Sequence, residues 1–206
     1  MAWSRQLDIL ALAGVSACLC VAFGYQLVLG ELPCAFCNLQ RLGFLIFGAG
    51  LFLNLRHGTN AWNYVLSAFG ALAGSLTALL QMFVHAPAGT RPTGSAFLGF
   101  HMYAWAYVAL TCAIFYALLS LAFIAAARWQ RTTSDRSVWR AGSAVVSAVF
   151  LILVAGNLTS TFLQNGFGPF MGGGQQHYRM LYDGDVMAKP CTASDHPELF
   201  QRHVRD

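Results

Sequence analysis

Five long apolar stretches dominate this chain: Ile9–Leu29, Leu42–Leu55, Ala61–Val84, Met102–Ala127 and Ala141–Leu163. A helix crossing the hydrocarbon core of a bilayer needs about 20 mainly apolar residues, because each residue advances it by only about 1.5 Å. Four of the stretches meet that length alone, and the second meets it if its helix begins near Cys37 and Arg41 snorkels to the interface. Inside lipid every backbone N–H and C=O must be satisfied within its own segment, so such stretches fold as helices. Composition agrees, with 57% hydrophobic and 10% charged residues among 206, whereas a soluble domain carries about 25% charged residues. The expected fold class is an all-α integral membrane protein: an up-down four-helix transmembrane bundle, a fifth transmembrane helix and an outer C-terminal tail. Short connections such as His57-Gly58-Thr59-Asn60 make sequential helices antiparallel neighbours.

The arginines orient the bundle. With the N-terminus inside, Arg5, Arg56, Arg128, Arg131, Arg136 and Arg140 face the cytoplasm, and the outer segments keep Arg41 and Arg91. The run from Arg128 to Arg140 is the strongest topogenic signal; it holds too few charges for a nucleic-acid patch, and no nucleic-acid partner is expected. The expected organisation is a bundle over residues 1–130, a cytoplasmic loop and fifth helix over 131–163, and a loop-rich outer tail over 164–206. The tail is too short to own a core and is expected to be disordered or draped over the outer face. Gly70-x-x-x-Gly74 is a close-packing face, read as serving another helix of the same chain.

Val15-Ser16-Ala17-Cys18 resembles a lipoprotein cleavage box, but Asp8 interrupts the n-region and the apolar stretch is long for a signal sequence, so an uncleaved first helix is expected. Cys18, Cys20 and Cys112 fall inside apolar segments and read as buried small hydrophobes. Cys34, Cys37 and Cys191 face the outer compartment, where disulfides persist if it is a bacterial periplasm.

Cys34-Ala35-Phe36-Cys37 carries the chemistry. Two cysteines two residues apart close a small disulfide ring when the second lies in the first turn of a helix, where unsatisfied N–H groups stabilise a thiolate. Pro33 fixes the chain as it enters that turn. Structural zinc needs four ligands and no second pair lies near, so no metal is expected. Flanking spans exclude a soluble thioredoxin-like motif, while a purely structural disulfide stays open. Arg41, four residues after Cys37, places a cation against hydrocarbon, which is costly and rarely idle. Stabilising a thiolate, binding the oxygen of a reduced acceptor, or snorkelling are its three readings. His85 and His101 flank the third and fourth helices at the same face. Either suits a quinone carbonyl or its proton, and together they raise axial ligation of a haem.

The string Pro33-Cys34-Ala-Phe-Cys37-Asn-Leu-Gln-Arg41 resembles the Pro-Cys-x-x-Cys-x-x-x-Arg signature of the disulfide bond formation protein B (DsbB) family, with His85 where that family often places a histidine. The resemblance covers the first four helices, roughly residues 8–127. It implies a multi-pass protein of the bacterial inner membrane that reoxidises a periplasmic thioredoxin-like thiol oxidase (DsbA-like) and passes electrons to the quinone pool, ubiquinone or menaquinone. Cys34 and Cys37 would then be the catalytic disulfide, with Arg41 and His85 at the quinone. The family usually carries a second cysteine pair between helices three and four; here Ala86–Gly99 has none. Three mechanisms follow: direct attack by the partner on Cys34–Cys37, relay through Cys191 as an accessory thiol, or an uninvolved Cys191. The first is carried forward. The alternative function is a non-catalytic or haem- or quinone-binding membrane subunit in which the Cys34–Cys37 disulfide is structural.

Overall fold

The computed structural model describes residues 2–30, 32–86, 96–127, 141–166 and 178–182. Cys191, Arg91 and the arginine run between 128 and 140 lie outside the described residues. The described chain forms α1 (Ala2–Val28), α2 (Ala35–His57), α3 (Ala61–Val84), a hairpin of β1 (Ala96–Phe97) and β2 (Phe100–His101), then α4 (Met102–Ala127), α5 (Ala141–Asn165) and the short α6 (Arg179–Tyr182). Five of these helices are long and apolar enough to cross a membrane, so the chain is a multi-pass helical membrane protein.

Polarity runs inside out relative to a soluble bundle. Large apolar side chains such as Leu10, Phe69, Phe83, Phe115, Phe123 and Ile152 cover the outer surface. Asp8, Gln26, Gln40, Asn54, Gln81 and Gln164 are buried inside. Lipid solvates the first set, while the second finds partners only in the interior. Between the polar groups lies a core built on Leu12, Leu19, Phe47, Leu51, Tyr64, Leu110 and Phe150.

Helices α2 and α3 pack most closely, because glycines let their backbones meet. A Cβ on Gly43 would lie 2.7 Å from Gly74 Cα, and one on Gly70 would lie 2.6 Å from Ile46 Cβ. Gly70-x-x-x-Gly74 is thus an intrachain packing face. Ser67 Oγ donates to Phe47 O across the same seam at 2.9 Å, and Ser75 and Thr111 hydroxyls lie 3.1 Å apart between α3 and α4. Arg5 of α1 donates to Ser143 of α5 at one end, 3.1 Å, and Gln26 of α1 to Ser160 of α5 at the other, 2.6 Å. The fifth helix therefore lies along α1, its N-terminus beside that of α1.

Two sequence expectations change. Helix α2 starts at Ala35, and Arg41 turns into the bundle instead of snorkelling, since interior acceptors satisfy its donors. Cys18, Cys20 and Cys112 are exposed on the outside of the bundle; a membrane bundle has an apolar exterior, which suits a small apolar side chain as well as a core does. The described part of the tail, Tyr178 with α6, makes hydrogen bonds to α1 and α5. The hairpin before α4 was not foreseen: Leu98 and Gly99 both take positive φ, 51° and 81°, the pattern of a two-residue type I′ turn.

Candidate functional site

The end of the bundle where α2 begins gathers the chemistry. Pro33 is buried and its carbonyl accepts from Gln164 Nε2 of α5 at 2.8 Å. This contact holds the entry to α2 from outside the helix. Cys34 follows in an extended conformation (φ −69°, ψ 171°) as the N-cap, and its sulfur accepts from the Cys37 N–H at 3.3 Å. Cys37 completes the first turn, which brings the two sulfurs to 2.7 Å from one another. The Cys34 thiol is pulled down to about 6, first by its hydrogen bond with the Cys37 thiol and then by backbone N–H groups of the turn, against the opposing effect of burial.

Glutamine amides flank the pair on the α3 side. Gln81, 0% exposed, accepts from Gln40 Nε2 at 2.7 Å. That fixes its amide orientation and turns Nε2 toward the sulfurs, 3.7 Å from Cys34 and 3.9 Å from Cys37. His85 caps α3, with Nδ1 2.8 Å from the Gln81 carbonyl. Its ring stacks on Tyr103 at 5.7 Å, and His101 stacks on the same ring at 5.4 Å.

Arg41 faces the other way. Nη1 donates to Gln26 Oε1 at 2.6 Å, Nη2 to the Ala22 carbonyl at 2.9 Å, and the guanidinium lies over the Phe23 ring at 5.5 Å. It is close enough to Cys37, Tyr178 and Cys34 to interact electrostatically with each. Because Gln26 Oε1 is taken by an obligate donor, Gln26 Nε2 serves both Ser160 Oγ at 2.6 Å and Tyr178 OH at 2.5 Å. Both hydroxyls thus accept. With 3.4 Å between them only one of their two hydrogens is used in the pair.

The sequence-predicted residues therefore divide. Cys34 and Cys37 are in contact, Arg41 is within their electrostatic reach, and His85 stands one residue removed. Cys191 lies outside the described residues. Sequence reasoning missed Gln26, Gln40, Gln81, Ser160, Gln164 and Tyr178. Five of them carried one legible signal, an uncharged polar side chain inside or beside an apolar stretch; the sixth, Tyr178, sits in the tail. Among the described residues no group of three or more His, Cys, Asp or Glu side chains forms a metal site.

Residues 4–93 match the family model described as disulfide bond formation protein DsbB. No curated protein and no solved structure gives a significant match. The matched stretch runs through α1, α2 and α3 and contains the cysteine pair, Arg41, Gln26, Gln81 and His85, while α4, α5 and α6 lie beyond it. Over residues 4–93 the chain is similar to the DsbB family of disulfide bond formation proteins, and its five long apolar helices make it a multi-pass membrane protein.

Proposed function

We propose that the chain is a thiol:quinone oxidoreductase of the bacterial inner membrane, with Cys34 and Cys37 as its redox pair on the periplasmic side. The observation that carries this reading is the pair itself: two sulfurs 2.7 Å apart on the first turn of a membrane helix. A reduced periplasmic thioredoxin-like partner attacks Cys34 Sγ with one thiolate. The Cys34–Cys37 bond breaks, a partner–Cys34 disulfide forms, and Cys37 leaves as a thiolate. The partner's second thiolate then attacks its own sulfur in the mixed disulfide, leaving with a disulfide of its own. Cys34 and Cys37 now hold two electrons, and they close again when two electrons and two protons pass to ubiquinone or menaquinone, giving the hydroquinone.

The residues present suit a quinone. Its carbonyls need donors, and Arg41 with the Ser160 and Tyr178 hydroxyls supplies them at the helix end that carries Cys37. In this role Arg41 favours the anionic forms of both cysteine and acceptor. His85 belongs to the reading as a neighbour of Gln81. Cys191 enters as an accessory thiol if Cys191→Ser slows reoxidation of the partner.

Purified protein is given the reduced thiol partner and a short-chain quinone, and quinone reduction is followed by absorbance. Cys34→Ser and Cys37→Ser should each abolish turnover; full activity in either sinks the proposal. Arg41→Ala should raise the quinone KM by roughly tenfold or more while the Cys34–Cys37 disulfide still forms. An unchanged KM would remove Arg41 from the acceptor site. A pair that stays closed when the quinone pool is reduced favours the structural disulfide instead.

A further inference from the structure

Asn38 follows Cys37 directly in α2, and the helical repeat places it four residues after Cys34 and three before Arg41, on the face they share. Its side chain is 7% exposed, yet neither Nδ2 nor Oδ1 has a hydrogen-bond partner among the described residues. Burying an amide without partners costs about 1–3 kcal/mol in protein mutational series. Its neighbours show how differently the same group is treated nearby: Gln26, Gln40, Gln81 and Gln164 all use their amides in hydrogen bonds of the site. Lipid does not account for Asn38, because the side chain lies inside the bundle.

We propose that Asn38 is a quinone-binding residue, its carboxamide left unpaired by the protein so that it can pair with the acceptor. This rests on the thiol:quinone reading. A carboxamide suits both forms of such a ligand. Nδ2 donates to a quinone carbonyl oxygen, and after reduction Oδ1 accepts from the hydroquinone hydroxyl. Arg41 only donates, so it favours the carbonyl and the anion. Asn38 adds a contact that the neutral reduced product also keeps. Its position between the cysteine pair and Arg41 in sequence and on the helix face sets the ligand oxygen beside the sulfurs that exchange electrons.

The test separates ligand binding from packing. Asn38→Leu keeps the branched shape and heavy-atom count and removes both polar atoms. In full-length protein in detergent, its thermal midpoint without quinone should equal or exceed that of the wild type, since a buried unsatisfied amide is gone. Its quinone KM should rise roughly tenfold, and added short-chain quinone should raise its midpoint less than it raises the wild type's. The pH profile of Cys34 alkylation should not move. A lower midpoint with unchanged KM assigns Asn38 to packing or to a bound water alone and overturns the inference. If Asn38→Leu does not fold, Asn38→Ala decides: a raised KM supports the assignment, and a wild-type KM overturns it. Wild-type protein that oxidises a dithiol without any quinone dependence defeats the underlying reading instead, and that result is read before either variant.

Discussion

Cys34 caps α2 from an extended backbone, so its sulfur sits where the first N–H groups of the helix point. The Cys37 thiol is the largest influence lowering its ionisation to about 6, from an ordinary 9.0. A depressed folded value means that the reduced form gains its full thiolate stabilisation above pH 9, loses it as pH falls, and has none left below about 6. Alkylation of Cys34 in the reduced protein should therefore be half-maximal near pH 6. In Cys37→Ala, which removes the largest cause, the midpoint should move most of the way back toward 9.0, and an unmoved profile contradicts this account. Of this residue's behaviour, the Cys-x-x-Cys spacing was legible beforehand, because a helix start after Pro33 follows from local sequence. The buried amide of Gln81 behind the sulfurs was not. It comes from a helix more than forty residues away in sequence.

Among the elements, the α2–α3 pair sets the geometry of the site. Gly43 touches Gly74 and Gly70, one turn after Gln40 on α2 and two to three turns before Gln81 on α3, so the glycine crossing bears on how closely these two amides approach. A side chain at Gly43 meets backbone on the facing helix, which has no rotamer with which to yield. Gly43→Leu should destabilise the protein by about 1–3 kcal/mol, read as a lower thermal midpoint in detergent. A variant with a wild-type midpoint would show that the crossing is looser than its contacts indicate. The glycine motif was readable as a packing face; its partner helix was not, since GxxxG spacing carries no address.

The whole molecule is tied at both ends by polar groups that lipid cannot serve. At one end Asp8, 1% exposed, accepts from Tyr64 OH at 2.8 Å and Tyr116 OH at 2.6 Å, joining α1 to α3 and α4. At the other, Gln26 joins α5 and the segment before α6 to α1, and Gln164 joins α5 to the cysteine turn. Asp8→Leu leaves the buried Tyr64 phenol and the half-buried Tyr116 phenol without their acceptor, at roughly 1–3 kcal/mol for the buried one. Asp8→Asn retains an acceptor oxygen and should lose markedly less. Thermal unfolding of the two variants checks the order, and equal midpoints would mean that the phenols find other partners.

By itself the sequence determined the solvent and the chemistry: five apolar stretches long enough to cross a bilayer, and a cysteine pair with an arginine at a helix start. Both are local properties, set by segment length, hydropathy and spacing along one chain. Only the tertiary structure decided which polar side chains meet there. Arg41 turned inward because Gln26 and the Ala22 carbonyl accept from it, and α5 and Tyr178 became part of the site because Gln164 and Ser160 reach α1 and the turn. Such pairings join residues as many as 152 positions apart. They are settled by the requirement that groups excluded from water bond to one another, a condition no single segment can state.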